Sequence, residues 1–311
     1  MILAAATLAF VLLHAAPGDA YSSVGGGMTD DVRRLLRVQR GYDRSLLQQY
    51  GLWLGALVRG NWGWSTSQQR WVLDVLADAL PRTLVLMSLA LAASFAFGVT
   101  LGAWQGARAE RHVARDVVDR VVSLATLAVY SAPQFWLALA LLFCFVRWFH
   151  LPAGGELDDL HTSMSAADQF TDRLRHLFLP WLSLTLVGTA LFARFQRTAM
   201  RDAIREPFVG AARAKGTPET QVRRHAWRTA LSPVITMAGL LFPALIGGAV
   251  FVEVVYAWPG IGTALLKGVD GRDYDLVAAV VVLGSAMTVL GSFLADVARE
   301  WADPRIGVER S

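Results

Sequence analysis

The chain has 311 residues, of which 54% are hydrophobic and only 17% are charged, and its formal net charge at pH 7 is +4. Ordinary soluble domains carry about 25% charged residues, so this composition argues against a soluble protein. The single cysteine, Cys144, excludes an intramolecular disulfide and a cysteine-cluster metal site, and the six histidines show no metal-ligand spacing. We therefore predict no metal site.

Six apolar stretches approach the roughly 20 residues that a helix needs to cross a bilayer. In chain order they are Met1–Ala16, Thr83–Trp104, Val121–Val146, Leu177–Ala193, Ala230–Val252 and Leu276–Ala295, and none contains Asp, Glu, Lys or Arg. We predict an all-α membrane protein with about six transmembrane helices. The first stretch has an alternative interpretation as a secretory signal peptide, but it lacks a basic residue ahead of its apolar centre. We favour a retained span and a natural N-terminus that is longer.

The distribution of basic residues predicts the orientation, because Lys and Arg are enriched in cytoplasmic loops. Residues 105–120 and 194–229 carry 13 basic residues in 52 positions, whereas residues 147–176 and 253–275 carry 5 in 53. We expect the first two segments to be cytoplasmic, which with six spans places both termini in the cytoplasm. The predicted organisation is a first transmembrane helix at 1–16, an extracytoplasmic loop at 17–82, a five-helix core at 83–298 that includes the segment 194–229, and a cytoplasmic tail at 299–311.

Two spans carry further signals. Small residues recur at steps of four along the second span, at Ala90, Ser94, Gly98, Gly102 and Gly106. Small side chains at this spacing let two helix backbones approach closely in lipid, so we predict that Gly98 and Gly102 lie at a helix–helix contact. Pro133 predicts a kink in the third span.

The segment Arg194–Thr229 has the pattern of a helical hairpin. Its first half is rich in alanine, and Gly216 suits the position just after a helix end. Thr217 is predicted to cap a second helix, with Pro218 at its first position, and this helix extends to about Ala230. Its basic residues are Arg223, Arg224, His225 and Arg228. We predict a rigid knuckle that docks on a partner; the alternative is a solvated basic loop that only sets topology.

The stretch FVGAARAKGTPETQVRRHAWRTA, at Phe208–Ala230, resembles the coupling loop of permease subunits in binding-protein-dependent ABC importers. The resemblance is to the dipeptide, oligopeptide and nickel type, and within it to the first of the two paired permeases. Gly210 is a departure, since the wider importer motif begins with Glu there. Further similar stretches are LLHAAPGD (Leu12–Asp19), SAPQFW (Ser131–Trp136), LPAGG (Leu151–Gly155), GGAVFVEVVYAWPGIG (Gly247–Gly262), RDY (Arg272–Tyr274) and DPRIG (Asp303–Gly307).

The resemblance implies a permease in the cell membrane that forms half of a translocation pathway, with peptides as the expected substrate. The implied partners are a second homologous permease subunit, two cytoplasmic ATPase subunits, an extracytoplasmic solute-binding protein and the lipid bilayer, with no nucleic acid. ATP and Mg²⁺ are expected on the ATPase subunits, and this chain, which lacks a phosphate-binding loop sequence, is expected to have no cofactor and no catalytic residue.

The resemblance also implies the site residues. The ATPase-coupling residues are Glu206, Ala211, Ala212, Lys215, Gly216, Thr217, Pro218, Arg224 and His225, and an outer re-entrant loop contains Trp258, Pro259, Gly260 and Gly262. Arg223, Arg224 and Arg228 either pair with acidic groups of the partner or only fix topology. Two other functions stay open at this point: an ATP-independent secondary transporter or channel, and a membrane-anchored scaffold or sensor.

Overall fold

The computed structural model describes residues 1–15, 44–108, 117–158 and 160–302. Four predicted features lie wholly or partly outside these residues: the LLHAAPGD stretch, the first part of the extracytoplasmic loop, half of the 105–120 loop, and the tail with its DPRIG stretch. The chain forms two compact units. One comprises Met1–Arg82 and Pro259–Val289, and the other comprises Thr83–Trp258 and Leu290–Ser311.

The described residues are almost entirely helical, and the all-α membrane fold is confirmed. The helices are α1 (Ile2–Ala15), α2 (Leu46–Val58), α3 (Val72–Arg108), α4 (Val117–Ser131), α5 (Gln134–Phe149), α6 (Ala166–Arg205), α7 (Pro207–Ala214), α8 (Glu219–Val255), α9 (Ile261–Asp270) and α10 (Tyr274–Ala302). Two short antiparallel strands, β1 (Trp64–Ser65) and β2 (Arg70–Trp71), and a 3-10 turn at His161–Ser163 complete the secondary structure of these residues.

Several helices are longer than the predicted spans. Within the described residues α3, α6 and the Tyr274–Leu294 part of α10 are each long and apolar enough to cross a membrane, and the bent pair α4–α5 is a fourth if it counts as one span. The 40 residues of α6 extend about 60 Å, twice the roughly 30 Å of a hydrocarbon core, so this helix continues well beyond the membrane. The number of six spans stays a prediction.

The third predicted span, Val121–Val146, is divided into two helices at Pro133, where the sequence predicts a kink. Helix α4 ends at Ser131, α5 begins at Gln134, and their axes differ by 111°. Pro133 lies between them with a φ of −57° and a ψ of 132°. Proline has no N–H for the helix ladder and disfavours helical conformation in the residue before it, so the helix breaks here.

The smaller unit is organised around the start of α3, helix α9 and the start of α10. Its buried apolar residues are Val72, Val75, Leu76, Ala79, Ile261, Ala264, Leu276, Ala279 and Val280. Asp273, which is 2% exposed, accepts hydrogen bonds from Ser65 Oγ at 2.5 Å and from the Ser67 N–H at 3.0 Å. Its other oxygen accepts the N–H of Leu276 at 3.2 Å, which satisfies a free donor in the first turn of α10.

In the larger unit α3 packs closely on α6 through its small residues. A methyl group added at Gly98 would overlap Phe192 Cβ, and one added at Gly102 would overlap the carbonyl oxygen of Ala193. At Gly106 the nearest atom would be Met200 Cβ, at 2.7 Å. These glycines lie where the backbones of the two helices leave no room for a side chain.

Helices α5, α6 and α8 are joined by the buried hydroxyl group of Tyr256. This hydroxyl donates to the carbonyl oxygen of Ala138 at 2.8 Å and lies 2.8 Å from Ser183 Oγ. The three residues therefore connect the far end of α8 to the first turns of α5 and the middle of α6.

The start of α6 carries a buried polar cluster around Asp172. One carboxylate oxygen accepts the N–H of Asp158 at 3.0 Å and lies 2.7 Å from Nδ1 of His161, and the other lies 3.0 Å from Nδ1 of His176. Burial acts to raise the pKa of Asp172, but the hydrogen bonds from Asp158 and His161 outweigh it and hold the pKa below its ordinary value. The cluster fixes the loop before α6 to the helix itself.

Candidate functional site

Residues 206–230 form a hairpin that follows α6 and includes α7 and the first turns of α8. This segment is called the hairpin below. Glu206 is extended, with a φ of −64° and a ψ of 145°, so it ends α6 and redirects the chain. Pro207 then begins α7, where its missing N–H costs no hydrogen bond. The hairpin thus consists of the eight-residue helix α7, a tight turn, and the first turns of α8.

The turn after α7 is closed by Gly216 in a left-handed conformation, with a φ of +75°. The N–H of Gly216 donates to the carbonyl of Arg213 at 3.0 Å, and that of Thr217 donates to the carbonyl of Ala212 at 3.1 Å. This pair of bonds is the Schellman motif, in which glycine is favoured because a β-carbon opposes a positive φ. The pattern around Gly216 is the one that the sequence predicts.

The predicted start of the second helix was wrong by one residue, and its predicted end was also wrong. Pro218, with a φ of −55° and a ψ of 138°, is the N-cap, and Thr217 is not. The extended ψ of Pro218 delays helical geometry until Glu219, and the Pro218 carbonyl accepts the first helical hydrogen bonds, from the N–H groups of Gln221 and Val222. The helix does not stop near Ala230 but continues to Val255.

The hairpin has a small apolar core that it shares with the end of α6. The buried residues are Met200, Ala203, Ile204, Val209, Val222, Ala226 and Ala230. Ala212 packs partly against this core, whereas its neighbour Ala211 is exposed. The two alanines therefore have different surroundings: the Ala212 side chain packs within the hairpin, and the Ala211 side chain is accessible to a partner.

An acidic side chain connects the two helices of the hairpin. Glu219 accepts hydrogen bonds from Nη2 and Nε of Arg213 at 3.0 and 3.2 Å, and from Nε of Arg223 at 3.2 Å. The hydrogen bond from Arg213 is the main reason that the pKa of Glu219 lies below its ordinary value. Arg223 is thus engaged within its own hairpin, whereas Arg224 and Arg228 form no ion pair with the residues that the structure describes.

Most of the sequence-predicted coupling residues lie on the hairpin surface. Glu206, Ala211, Lys215, Gly216, Pro218, Arg224 and His225 are exposed, and Thr217 is half-buried. Phe208, which sequence reasoning did not single out, adds an aromatic ring that is 39% exposed. The signal in the sequence that could have indicated Phe208 was an aromatic residue directly after a proline and close to small residues. The hairpin surface therefore combines small, basic and aromatic side chains, and the apolar core and the Arg213–Glu219 hydrogen bonds hold the two helices beneath it together.

The four residues of the predicted outer loop are divided between the two units. Trp258 belongs to the larger unit, is 5% exposed, and donates its backbone N–H to the carbonyl of Glu253 at 2.8 Å. Pro259, Gly260 and Gly262 belong to the smaller unit, where Gly260 precedes α9 and Gly262 is buried within it.

Glu253 itself was missed as a structural residue. It is fully buried, and its carboxylate accepts a hydrogen bond from Thr83 Oγ1 at 2.6 Å. A lone carboxylate at the end of an apolar span was its only signal in the sequence.

The comparisons with known proteins agree with this fold. Residues 98–308, well over half of the chain, match the family described as binding-protein-dependent transport system inner membrane component. The chain belongs to this family. The oligopeptide transport system permease protein AppB of Bacillus subtilis is 32% identical to it, over 98% of this chain and 95% of that protein. The di/tripeptide transport system permease protein DppB of Pseudomonas aeruginosa is 33% identical, over 97% of this chain and 94% of that protein.

Two further similarities extend the comparison. A protein of Brucella suis biovar 1, provisionally named a peptide permease, is 37% identical over 99% of this chain and 95% of its own length. A chain in an inward-facing structure of the MetNI methionine ABC transporter has the same fold, with a TM-score of 0.60 and 19% identity over 74% of this chain and 97% of that chain. The family and the apolar helices together confirm a transport component of a membrane.

Proposed function

We propose that the chain is the permease subunit of an ATP-driven ABC importer for peptides, and that it forms half of the translocation pathway. The peptide assignment is supported by the names of relatives that align over nearly their whole length. In this proposal both termini and the hairpin are cytoplasmic, the membrane is crossed six times, and the chain hydrolyses no ATP. Its partners are a second homologous permease, two ATPase subunits that hold ATP and Mg²⁺, and an extracytoplasmic solute-binding protein.

The observation that carries the proposal is the construction of the hairpin. Its apolar core includes residues of α6, α7 and α8, and the Arg213–Glu219 bonds hold α7 against the start of α8. A force applied to α7 is therefore transmitted to both long helices instead of being absorbed by a soft loop. An ATPase subunit that binds the exposed surface around Ala211 would move α6 and α8 together and shift the equilibrium between inward-open and outward-open states.

The assembly is tested by reconstitution in liposomes. We expect uptake of a peptide to require this chain, the second permease, the ATPase subunits, ATP and the solute-binding protein together. Omission of any one component is the control. Uptake by this chain alone, driven by an ion gradient without ATP, would establish the alternative of a secondary transporter or channel and would refute the proposal.

The docking surface is tested by a charge placed on it. Ala211→Asp adds a carboxylate to an exposed position, so the fold should tolerate it, while docking of an ATPase subunit on a small apolar surface should not. We expect ATP-driven uptake to fall at least tenfold with normal membrane insertion. Ala167→Asp, at an exposed alanine near the other end of α6, is the matched control and should transport normally. Equal transport by the two variants would remove the hairpin from the coupling mechanism.

A further inference from the structure

A second feature, outside the hairpin, is a groove between α4 and α6 in the larger unit. It has a volume of about 550 Å³ and is called the arginine groove below. Its basic lining residues are Arg120 on α4 and Arg194, Arg197 and Arg201 on α6. The three arginines of α6 recur at intervals of three and four residues, so they follow one face of the helix.

Within the described part of the chain, one of these four arginines, Arg197, is paired with an acidic group. Arg197 donates from Nη2 to Asp119 Oδ2 at 2.6 Å and from Nη1 to Ser123 Oγ at 2.7 Å. Gln105 Nε2 donates to the other oxygen of Asp119 at 3.1 Å. Arg120, Arg194 and Arg201 form no ion pair with any residue in the described part of the chain. Among the residues that the structure describes, the groove lining thus carries three arginines without an acidic partner.

The other half of the groove is apolar. Leu124, Leu127 and Tyr130 follow Arg120 at intervals of four, three and three residues, on one side of α4, and they are 58%, 42% and 49% exposed. Tyr130 lies about 15 Å along the helix from Arg120. The guanidinium carbon of Arg194 lies 5.4 Å from the centre of the Tyr130 ring. The groove therefore passes from a cluster of arginines to an exposed apolar strip.

We propose that the arginine groove binds an anionic phospholipid, with the phosphate near Arg120 and Arg201 and an acyl chain along Leu124 and Leu127. Guanidinium groups bind phosphate oxygens in pairs, and basic pockets between transmembrane helices bind anionic head groups. The arginines without an acidic partner fit the head group, and the apolar strip fits the tail of the same molecule. Assignment to the cytoplasmic leaflet rests on the orientation in the proposed function, whereas the binding itself does not.

The test measures lipid retention by native mass spectrometry on the chain purified with the subunits that accompany it. Nanodiscs of phosphatidylglycerol and of phosphatidylcholine are compared for the wild type and for the double variant Arg120→Gln/Arg201→Gln. We expect about 25-fold weaker retention of phosphatidylglycerol by the variant, about fivefold for each arginine, and no change for phosphatidylcholine. The matched control is Arg173→Gln/Arg175→Gln, which removes two exposed charges near the other end of α6 and should retain the lipid normally.

Three outcomes would overturn the inference. Equal loss of both lipids in the double variant would indicate that the groove does not select an anionic head group. Binding of inorganic phosphate without retention of phosphatidylglycerol would make the groove a free-anion site. Release of the second permease by the double variant, with lipid retention unchanged, would make it a subunit contact. Retention is measured without ATP or transport, so this inference and the proposed function fail independently.

Discussion

Replacement of Gly216 by alanine isolates the backbone contribution to the hairpin. No heavy atom lies within 4 Å of a methyl group built there, so the substitution causes no collision. The cost comes from the φ of +75°, which an L-residue adopts at an expense of about 1–2 kcal/mol. This cost reduces the population of the closed turn about 5- to 30-fold. Asparagine tolerates the left-handed conformation, so Gly216→Asn should recover part of the loss.

Gly210 supplies the matched control within the same hairpin. It is exposed inside α7, and a methyl group there also meets no atom within 4 Å, but its φ is not positive. Gly210→Ala should therefore stabilise α7 by up to about 1 kcal/mol through helix propensity. Adding a methyl group is therefore expected to stabilise the hairpin at position 210 and to destabilise it at position 216.

Hydrogen exchange of residues 211–217 and ATP-driven uptake are the two measurements. Gly216→Ala should accelerate exchange and reduce the uptake obtained per ATP hydrolysed, and Gly210→Ala should do neither. If Gly216→Ala matched the wild type in both assays, or if the two variants were equally impaired, a role for the turn in coupling would be refuted.

Three further substitutions test the fold around the site. Gly102→Ala forces its methyl group against the backbone of Ala193 and should destabilise the chain by about 1–3 kcal/mol in thermal unfolding, whereas Gly284→Ala, at a glycine with open space, should not. The pKa of Asp172 is lowered in the folded state, so the ionised carboxylate stabilises the fold above about pH 4, and this stabilisation is lost as the pH falls through the folded-state pKa. Asp172→Asn should remove that part of the pH dependence of the unfolding temperature. An unchanged profile would contradict the assignment. Asp273→Ala removes the acceptor for Ser65 and Leu276 and should cost about 1–2 kcal/mol, with faster hydrogen exchange confined to residues 64–71 and the start of α10.

The features that the sequence predicts correctly depend on neighbouring residues. A positive φ after a helix favours glycine, so Gly216 indicates its own turn. Pro133 likewise indicates a break, although its 111° magnitude depends on how α4 and α5 pack. The error at Thr217 arose because the extended ψ of Pro218 moves the start of α8 by one residue, so that the Pro218 carbonyl accepts its first hydrogen bonds.

The features that the sequence does not predict depend on residues far apart in the chain. Adjacent residues of a helix point about 100° apart, so only the core contributed by α6 determines that Ala212 faces inward and Ala211 outward. The pairs Thr83–Glu253 and Asp119–Arg197 join residues separated by 170 and 78 positions. Neither periodicity nor composition contains that information.

Helix α8 gives the hairpin a mechanical connection to the opposite end of the larger unit. Its 37 residues are continuous from Glu219 to Val255, which corresponds to about 55 Å. At one end it belongs to the hairpin core, and just after the other end Tyr256 is bonded to Ala138 and lies beside Ser183. Pro233 and Pro243 lie within this helix and are points where it can bend, so displacement of the hairpin either moves these contacts or is taken up by bending at the prolines. In the proposed coupling, the bonds of Tyr256 hold the far end of α8 to α5 and α6 while a force acts on the hairpin.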